Sequence, residues 1–213
     1  MSNKTVNVKD GGNEYGISTG TYVKNTILMT LLFTCFSFSF WLSNFQIEYM
    51  GTDIYILFYA QGLVCILSGQ INLMTYEWLG MKLLVIIAQC VNIVATTYII
   101  LVKTKVFSYE DPEQEELFMA VSMPVALFFL CTAIQVGFTA VVQTAYQDER
   151  VFPFNKKATA INIIILVSKA ATIGAPFVNE ADEPIPMVVL LVLAFLSIII
   201  VLFFPSLEEL NKM

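Results

Sequence analysis

Hydrophobic positions along the chain fall into six long stretches separated by short polar segments. The stretches lie at about 26–46, 53–75, 81–102, 117–143, 157–178 and 185–204. Each approaches or exceeds the ~20 residues that a helix needs to cross ~30 Å of hydrocarbon. None shows the alternation of a membrane β-strand, and unpaired backbone groups are not tolerated in lipid, so the stretches must be helices. The pattern predicts an all-α, polytopic membrane protein with six transmembrane helices.

Polar segments flank this transmembrane domain, which we place at 25–205. Residues 1–24 are polar and rich in Gly and Ser, and they contain too few apolar residues to form a core of their own. We therefore expect this N-terminal segment to dock on a partner. Residues 206–213 form a short polar C-terminal tail.

The basic residues are distributed unevenly between the polar segments. If the N-terminus is inside, the inside segments hold Lys4, Lys9, Lys24, Lys82, Arg150, Lys156, Lys157 and Lys212. The outside segments hold Lys103 and Lys105, together with acidic runs at 109–116 and 179–184. Basic residues favour the cytoplasmic or equivalent side of a membrane. The distribution predicts that both termini lie on the same, inside face.

Composition narrows the functional classes. Hydrophobic residues make up 57% of the chain and charged residues only 13%, whereas about a quarter of a soluble domain is charged. The chain has no basic domain, so we expect no nucleic-acid partner. It has no His, the commonest metal ligand and the usual acid or base at neutral pH. We expect no enzymatic activity and no cofactor, and we interpret the four cysteines as small buried apolar residues.

One lysine lies within a predicted span. Lys169 is ~15–18 Å from either membrane surface at 1.5 Å per residue, and no Asp or Glu falls inside any predicted span. Four explanations remain open: an anionic ligand, a carboxylate or lipid from outside the chain, a water-filled cavity, or a neutral amine. An ionisable residue at this depth is a functional-site hypothesis by default.

Other polar or amphipathic residues within the spans extend this candidate site. The candidates for contact with an anion, a lipid or a partner are Lys169, Gln61, Gln135 and Trp41. For the amides the main alternative is hydrogen bonding between neighbouring helices.

Several motifs, in order, resemble the C-terminal half of a major facilitator superfamily transporter of the organic-ion branch. The motifs are "KNTILMTLLFTCFSFSFW", "GTDIYILFYAQGLVCILSG", "YEWLGMK", "ERVFPFNKKATA" and "SKAATIGAPFV". The resemblance covers about residues 24–207 and implies the fold of one six-helix half. It also implies that Lys169, seven residues before Pro176, occupies a charged position that is basic in anion transporters and contributes to their central substrate site.

The gating loops of that family are only partly retained. Gly80 and Lys82 match one loop, with Met81 where a basic residue would stand. Glu149, Pro153 and Lys157 match the other, with the acidic residue shifted by one position and Phe154 in place of Thr. We interpret these five matching residues as inherited remnants. The family moves substrate by rocking two halves around a central site, and this chain corresponds to one half.

Two hypotheses follow from the resemblance. In the first, the chain is a membrane-embedded accessory subunit that has lost transport, contacts other membrane protein subunits and phospholipids, and belongs to a larger complex. We expect that complex to be a respiratory-chain complex of the mitochondrial inner membrane, with a plasma or vesicle membrane as the alternative location. In the second, the chain is a half-size organic-anion transporter that works as a dimer or with a separate half, and Lys169 lines the cavity.

Overall fold

The computed structural model describes residues 19–49, 54–104, 106, 112–149 and 151–204. The predicted docking segment as far as residue 18 and the predicted tail at 206–213 lie outside the described residues. All regular structure in the described part is helical, which confirms the all-α class. The elements are α1 (Thr19–Gln46), a 3-10 turn (Ile47–Tyr49), α2 (Ile54–Lys103), α3 (Pro112–Gln147), α4 (Phe154–Thr172), α5 (Ala175–Asn179) and α6 (Ile185–Leu202).

Five helical stretches of the described residues are long and apolar enough to cross a membrane. They are Thr19–Tyr49, Ile54–Lys103, Leu117–Gln147, Phe154–Asn179 and Ile185–Leu202. These helices fit an integral membrane protein. The count differs from the predicted six because α2 continues through the predicted loop between the second and third spans.

Helix α2 is nevertheless interrupted in its backbone. Gly80 has φ 66° and ψ 169°, far from helical values. A residue with a Cβ is strained at a positive φ, whereas glycine adopts it readily. The 50 residues of α2 therefore form two helical segments that meet at Gly80.

Two sets of hydrogen bonds define one end of the helix bundle, which we call the basic end because Lys24, Lys82, Lys156 and Lys157 lie at or near it. The Tyr22 hydroxyl at the start of α1 donates to the Lys156 carbonyl at the start of α4, at 3.3 Å. The hydroxyls of Tyr76, in the middle of α2, and Thr144, near the end of α3, lie 2.6 Å apart.

Other helix termini lie at the opposite end, which we call the acidic end because Glu48, Glu180, Asp182 and Glu183 lie at or near it. Gln61, near the start of α2, donates to the Asn44 side chain near the end of α1. Lys103, at the end of α2, forms an ion pair with Glu183 just before α6 and lies 3.5 Å from the Gln46 side-chain oxygen. Both ends of α2 therefore lie at the acidic end of the bundle, and its middle lies at the basic end.

Helix α1 is central, because it packs against α3, α4 and α6. Phe36 of α1 is fully buried where the helix packs against α3. A Cβ added at Gly137 of α3 would stand 2.4 Å from the Phe36 ring. The absence of a side chain at position 137 is therefore what allows the two helices to approach.

Several predicted boundaries were wrong. Helix α1 begins at Thr19, inside the predicted N-terminal segment, and α3 extends beyond its predicted span at both ends. The predicted span at 157–178 matches the candidate span Phe154–Asn179, but it is interrupted between Thr172, where α4 ends, and Ala175, where α5 begins. Pro176 has no N–H to donate to the Thr172 carbonyl, so one α-helical hydrogen bond is missing there, although Ile173 and Gly174 keep helical backbone angles.

The cysteine prediction was half right. Cys35 and Cys131 are buried, but Cys65 and Cys90 are exposed on α2. Hydrophobicity alone cannot separate these environments, because the outer surface of a membrane protein is as apolar as its core.

Candidate functional site

Lys169 lies in the last turn of α4, immediately before the break at Ile173 and Gly174. The Thr172 hydroxyl donates to the Lys169 carbonyl at 2.8 Å. Helix C-termini carry partial negative charge, so a cationic side chain is favoured in the last turn. The break thus places a local interruption of the helix within one turn of Lys169, in the middle of an apolar stretch.

The Lys169 side chain is exposed on the surface of the chain. Its ammonium nitrogen lies 5.9 Å from the centroid of the Trp41 ring on α1, within the range of a cation–π interaction. The ion pair of the described residues joins Lys103 and Glu183, and Lys169 has no carboxylate partner among them. Two of the four candidates from the sequence, Lys169 and Trp41, therefore lie together, and the ammonium group is free to bind an anion.

Lys169 is one of several exposed polar residues on the same face of α4. We call Asn155, Thr159, Asn162 and Lys169 the polar stripe, and all four are exposed. Residues seven apart on a helix drift by only ~20° per step, so positions 155, 162 and 169 share one face. The stripe extends from the basic end of the bundle to the middle of the span.

Gln61 reaches the neighbourhood of Trp41 only indirectly. Its amide donates to Asn44, which lies three residues after Trp41 on α1, so the two occupy one face of that helix. The amide therefore joins α2 to α1. This matches the helix-bonding alternative for Gln61, and its contact with an anion or a partner stays a prediction.

Gln135 on α3 is partly buried, and its side-chain oxygen has no hydrogen-bond partner among the described residues. A buried acceptor without a donor is costly, and the contact of Gln135 with an anion, a lipid or a partner stays a prediction. It has no described contact with Lys169 or Trp41.

The first pair of predicted gating-loop residues, Gly80 and Lys82, lies where α2 contacts α6. Lys82, two residues after the break at Gly80, donates to the Leu202 and Phe204 carbonyls at 3.2 Å each. These carbonyls belong to the C-terminal end of α6, where helix oxygens lack intrahelical donors. Lys82 therefore caps a neighbouring helix.

The second set of predicted gating-loop residues, Glu149, Pro153 and Lys157, lies between α3 and the first turn of α4. Lys157 donates to the Tyr146 carbonyl in the last turn of α3, at 3.0 Å. Pro153 precedes α4, and its carbonyl oxygen accepts hydrogen bonds from the backbone N–H groups of Lys156 and Lys157, at 2.9 Å each. Glu149 is exposed. Of the predicted loop residues, Lys82 and Lys157 thus bind helix ends within this chain.

Sequence reasoning missed two features of the site. Asn44 was not singled out, although a polar residue one turn from Trp41 in an apolar span was a usable signal. The polar stripe was also missed, although the seven-residue spacing of Asn155, Asn162 and Lys169 is visible in the sequence. The sequence does not show that this face of α4 is exposed.

The described residues contain no group of three or more His, Cys, Asp or Glu side chains that could hold a metal ion. The exposed ammonium group of Lys169 suits an anion or a carboxylate. No protein-family model, curated protein or solved structure matches the chain, and the transporter resemblance stays a prediction from the motifs.

Proposed function

We propose that this protein is a membrane-embedded accessory subunit that docks on another membrane protein through the polar stripe of α4. The observation that carries the proposal is Lys169, exposed in mid-span with no carboxylate partner among the described residues. The partner supplies a carboxylate or another anionic group to this lysine.

The cost of leaving the stripe in lipid supports the proposal. A Lys at the centre of a membrane helix costs about 2.5–3.5 kcal/mol on insertion scales. Lys169 lies ten residues before the end of the span at Asn179, or ~15 Å along the helix. A lysine side chain cannot extend that far to water. Asn162 and Thr159 add further polar groups on the same face, so a protein surface is the favourable covering.

Six crossings, with both termini on one side, are part of the proposal. Contacts at the two ends of α2 and at its middle support an out-and-back path with the turn at Gly80. The segments on either side of Gly80 are ~39 Å and ~35 Å long, enough for ~30 Å of hydrocarbon. Exposed Trp78 at the basic end and exposed Tyr59 near the acidic end suit the two membrane interfaces, where aromatic residues are enriched.

The clustering of basic residues supports the orientation. The start of α1, the turn at Gly80, the start of α4 and the end of α6 gather at the end of the bundle that carries four lysines. The positive-inside rule assigns that end to the cytoplasmic or matrix side.

The loop contacts favour a static subunit over a moving half-transporter. Lys82 and Lys157 are both engaged with carbonyls of their own chain. Such bonds tie α2 to α6 and α4 to α3 and stabilise one arrangement. A gating role would instead require these lysines to exchange partners between two halves.

The test is gentle extraction of the full chain from its own membrane, followed by native mass determination and identification of co-purifying chains. We expect a size far above two copies with unrelated subunits present. Lys169→Ala should weaken association roughly thirtyfold or more, because truncating one member of a buried charge pair costs ~2 kcal/mol or more. Lys169→Arg should retain most of it. Lys24→Ala, which removes an exposed lysine at the basic end, is the matched control.

Equal association of wild type and Lys169→Ala would contradict docking through this residue. Respiratory-chain subunits among the co-purifying chains would support the mitochondrial inner membrane as the location.

A half-size organic-anion transporter is the second candidate. It is favoured by the exposure of Trp41 and Lys169 on one surface, where two halves could enclose an anion. A native mass of two copies, with anion uptake that Lys169→Ala abolishes, would select it over the accessory subunit.

A further inference from the structure

A cleft separates the second segment of α2 from α3, on a part of the molecule distinct from the polar stripe. Its volume is about 580 Å³, within the ~300–1,000 Å³ range of small-molecule sites. Its lining is Cys90, Val91, Val94, Ala95, Tyr98, Ser122, Val125, Ala126 and Phe129. Most of these residues are apolar, and Val94, Val125 and Phe129 are also exposed at the surface. The cleft is therefore open to the bilayer.

The polar groups of the cleft lie toward one end. Tyr98 is five residues before Lys103, the end of α2, or ~7.5 Å along the helix. Ser122 is five residues after Leu117, where the apolar span of α3 begins. Cys90 and Phe129 lie ~12 Å and ~10 Å deeper, toward the middle of the span. The cleft thus has hydroxyl groups near the acidic end of the bundle and an apolar floor.

Ser122 has an unmet hydrogen-bonding requirement. Its hydroxyl oxygen is buried and has no partner among the described residues. A serine in a membrane helix usually donates to a carbonyl one turn earlier, as Ser197 does to Leu193 at 2.8 Å. A buried hydroxyl left without a partner costs free energy, and rotation of the Ser122 side chain toward the cleft would pair it with a ligand hydroxyl.

We propose that this cleft binds a sterol. A sterol combines one hydroxyl with a rigid, flat apolar body, and it lies in a bilayer with the hydroxyl near the membrane surface. That arrangement matches hydroxyls at the shallow end and about 12 Å of apolar lining below them. Small side chains at Ala95 and Ala126 leave room for a flat ring system. An acyl lipid would instead place ester or carboxyl oxygens at the shallow end and a flexible chain below, and competition by cholesterol distinguishes it from a sterol.

The experiment uses the full chain in its native membrane and a photoreactive diazirine analogue of cholesterol. We expect labelled peptides from 90–98 and 122–129, and we expect cholesterol to compete at least fivefold better than cholestane, which has the same rings without the hydroxyl. Ser122→Ala should weaken cholesterol competition roughly three- to tenfold, as expected for one lost hydrogen bond, without changing competition by cholestane.

A second pair of variants separates binding from folding. Val94→Trp places a large side chain in the mouth of the cleft at a residue that is 70% exposed, and it should reduce labelling at least fivefold. Val192→Trp makes the same change on the exposed face of α6 and should leave labelling unchanged. The sterol assignment is overturned if a photoreactive fatty acid labels the cleft and cholesterol fails to compete. It is also overturned if Val94→Trp and Val192→Trp label equally.

Discussion

Helices α4 and α6 both line the outside of the bundle, yet their exposed surfaces differ in polarity. Every exposed residue of α6 is apolar, from Ile185 through Val192 to Leu202, and its one polar residue, Ser197, is fully buried. Helix α4 differs, because it exposes the polar residues Asn155, Thr159, Asn162 and Lys169 beside apolar residues such as Ile163 and Leu166.

The degree of burial sharpens the contrast. Within the most apolar window of each span, 39% of the residues are buried in α6 but only 22% in the span that contains α4. A helix that buries less of itself and exposes polar groups is suited to a protein surface, whereas the α6 face is suited to lipid. An exposed residue in a membrane protein can face either lipid or a partner protein, and the polarity of its side chain indicates which.

The largest expected effect comes from putting a charge on the α6 face. Val192→Lys should disfavour membrane insertion by about 2.5–3.5 kcal/mol, because the exposed ammonium would face hydrocarbon. The carbonate-resistant membrane fraction of the expressed chain measures this, with Val192→Leu as the control. Normal insertion and assembly of Val192→Lys would mean that protein covers α6 as well.

A substitution in the core should lower the stability of the bundle without changing the exposed face of either α4 or α6. Gly137→Ala places a Cβ against the buried Phe36 ring, and overpacking of this kind costs about 1–3 kcal/mol. Gly69→Ala is the matched control, since a Cβ there meets nothing within 4 Å. Thermal unfolding in detergent should show a lower midpoint for Gly137→Ala and an unchanged or higher one for Gly69→Ala. The reverse order would contradict the close approach of α1 and α3.

The smallest effect tests the polar stripe away from its charge. Asn162→Leu should weaken association with the partner by about 0.6 kcal/mol, the average of hydrogen bonds between membrane helices, or roughly threefold. Membrane insertion should be unchanged or improved. Ile163→Leu, at the neighbouring exposed position, provides the control in the same co-purification assay. If Asn162→Leu leaves association intact and only substitutions of Lys169 weaken it, the partner binds the charge of Lys169 and not the whole polar stripe.

Much of the helical content was predictable because lipid permits so few alternatives. Long apolar runs marked every helix that could span a membrane, and Pro205 directly follows the last of these runs. The apolar pattern placed the start of α3 at 117, whereas the helix begins at Pro112. The break before Pro176 was predictable in principle from the missing N–H, but the apolar run through Val178 concealed it. The predicted gap at 76–80 was mostly helical, because only Gly80 departs from helical angles.

The candidate site was predictable in part. Lys169 was visible as a charge in an apolar run, and its neighbour Trp41 could be named as a candidate. Their separation of 5.9 Å depends on how α1 packs against α4, which involves residues more than a hundred positions apart in the chain. The same is true of Lys82 and Lys157, whose carbonyl partners lie on other helices.

The sequence by itself determined that the chain is built from apolar helices, because composition and run length control whether a segment can be solvated by lipid. It also determined which residues carry charge within those helices. Only the tertiary structure decided which faces look outward. A membrane helix can present an apolar face either to its neighbours or to lipid at similar cost, so burial and contact depend on packing between distant segments rather than on local hydrophobicity.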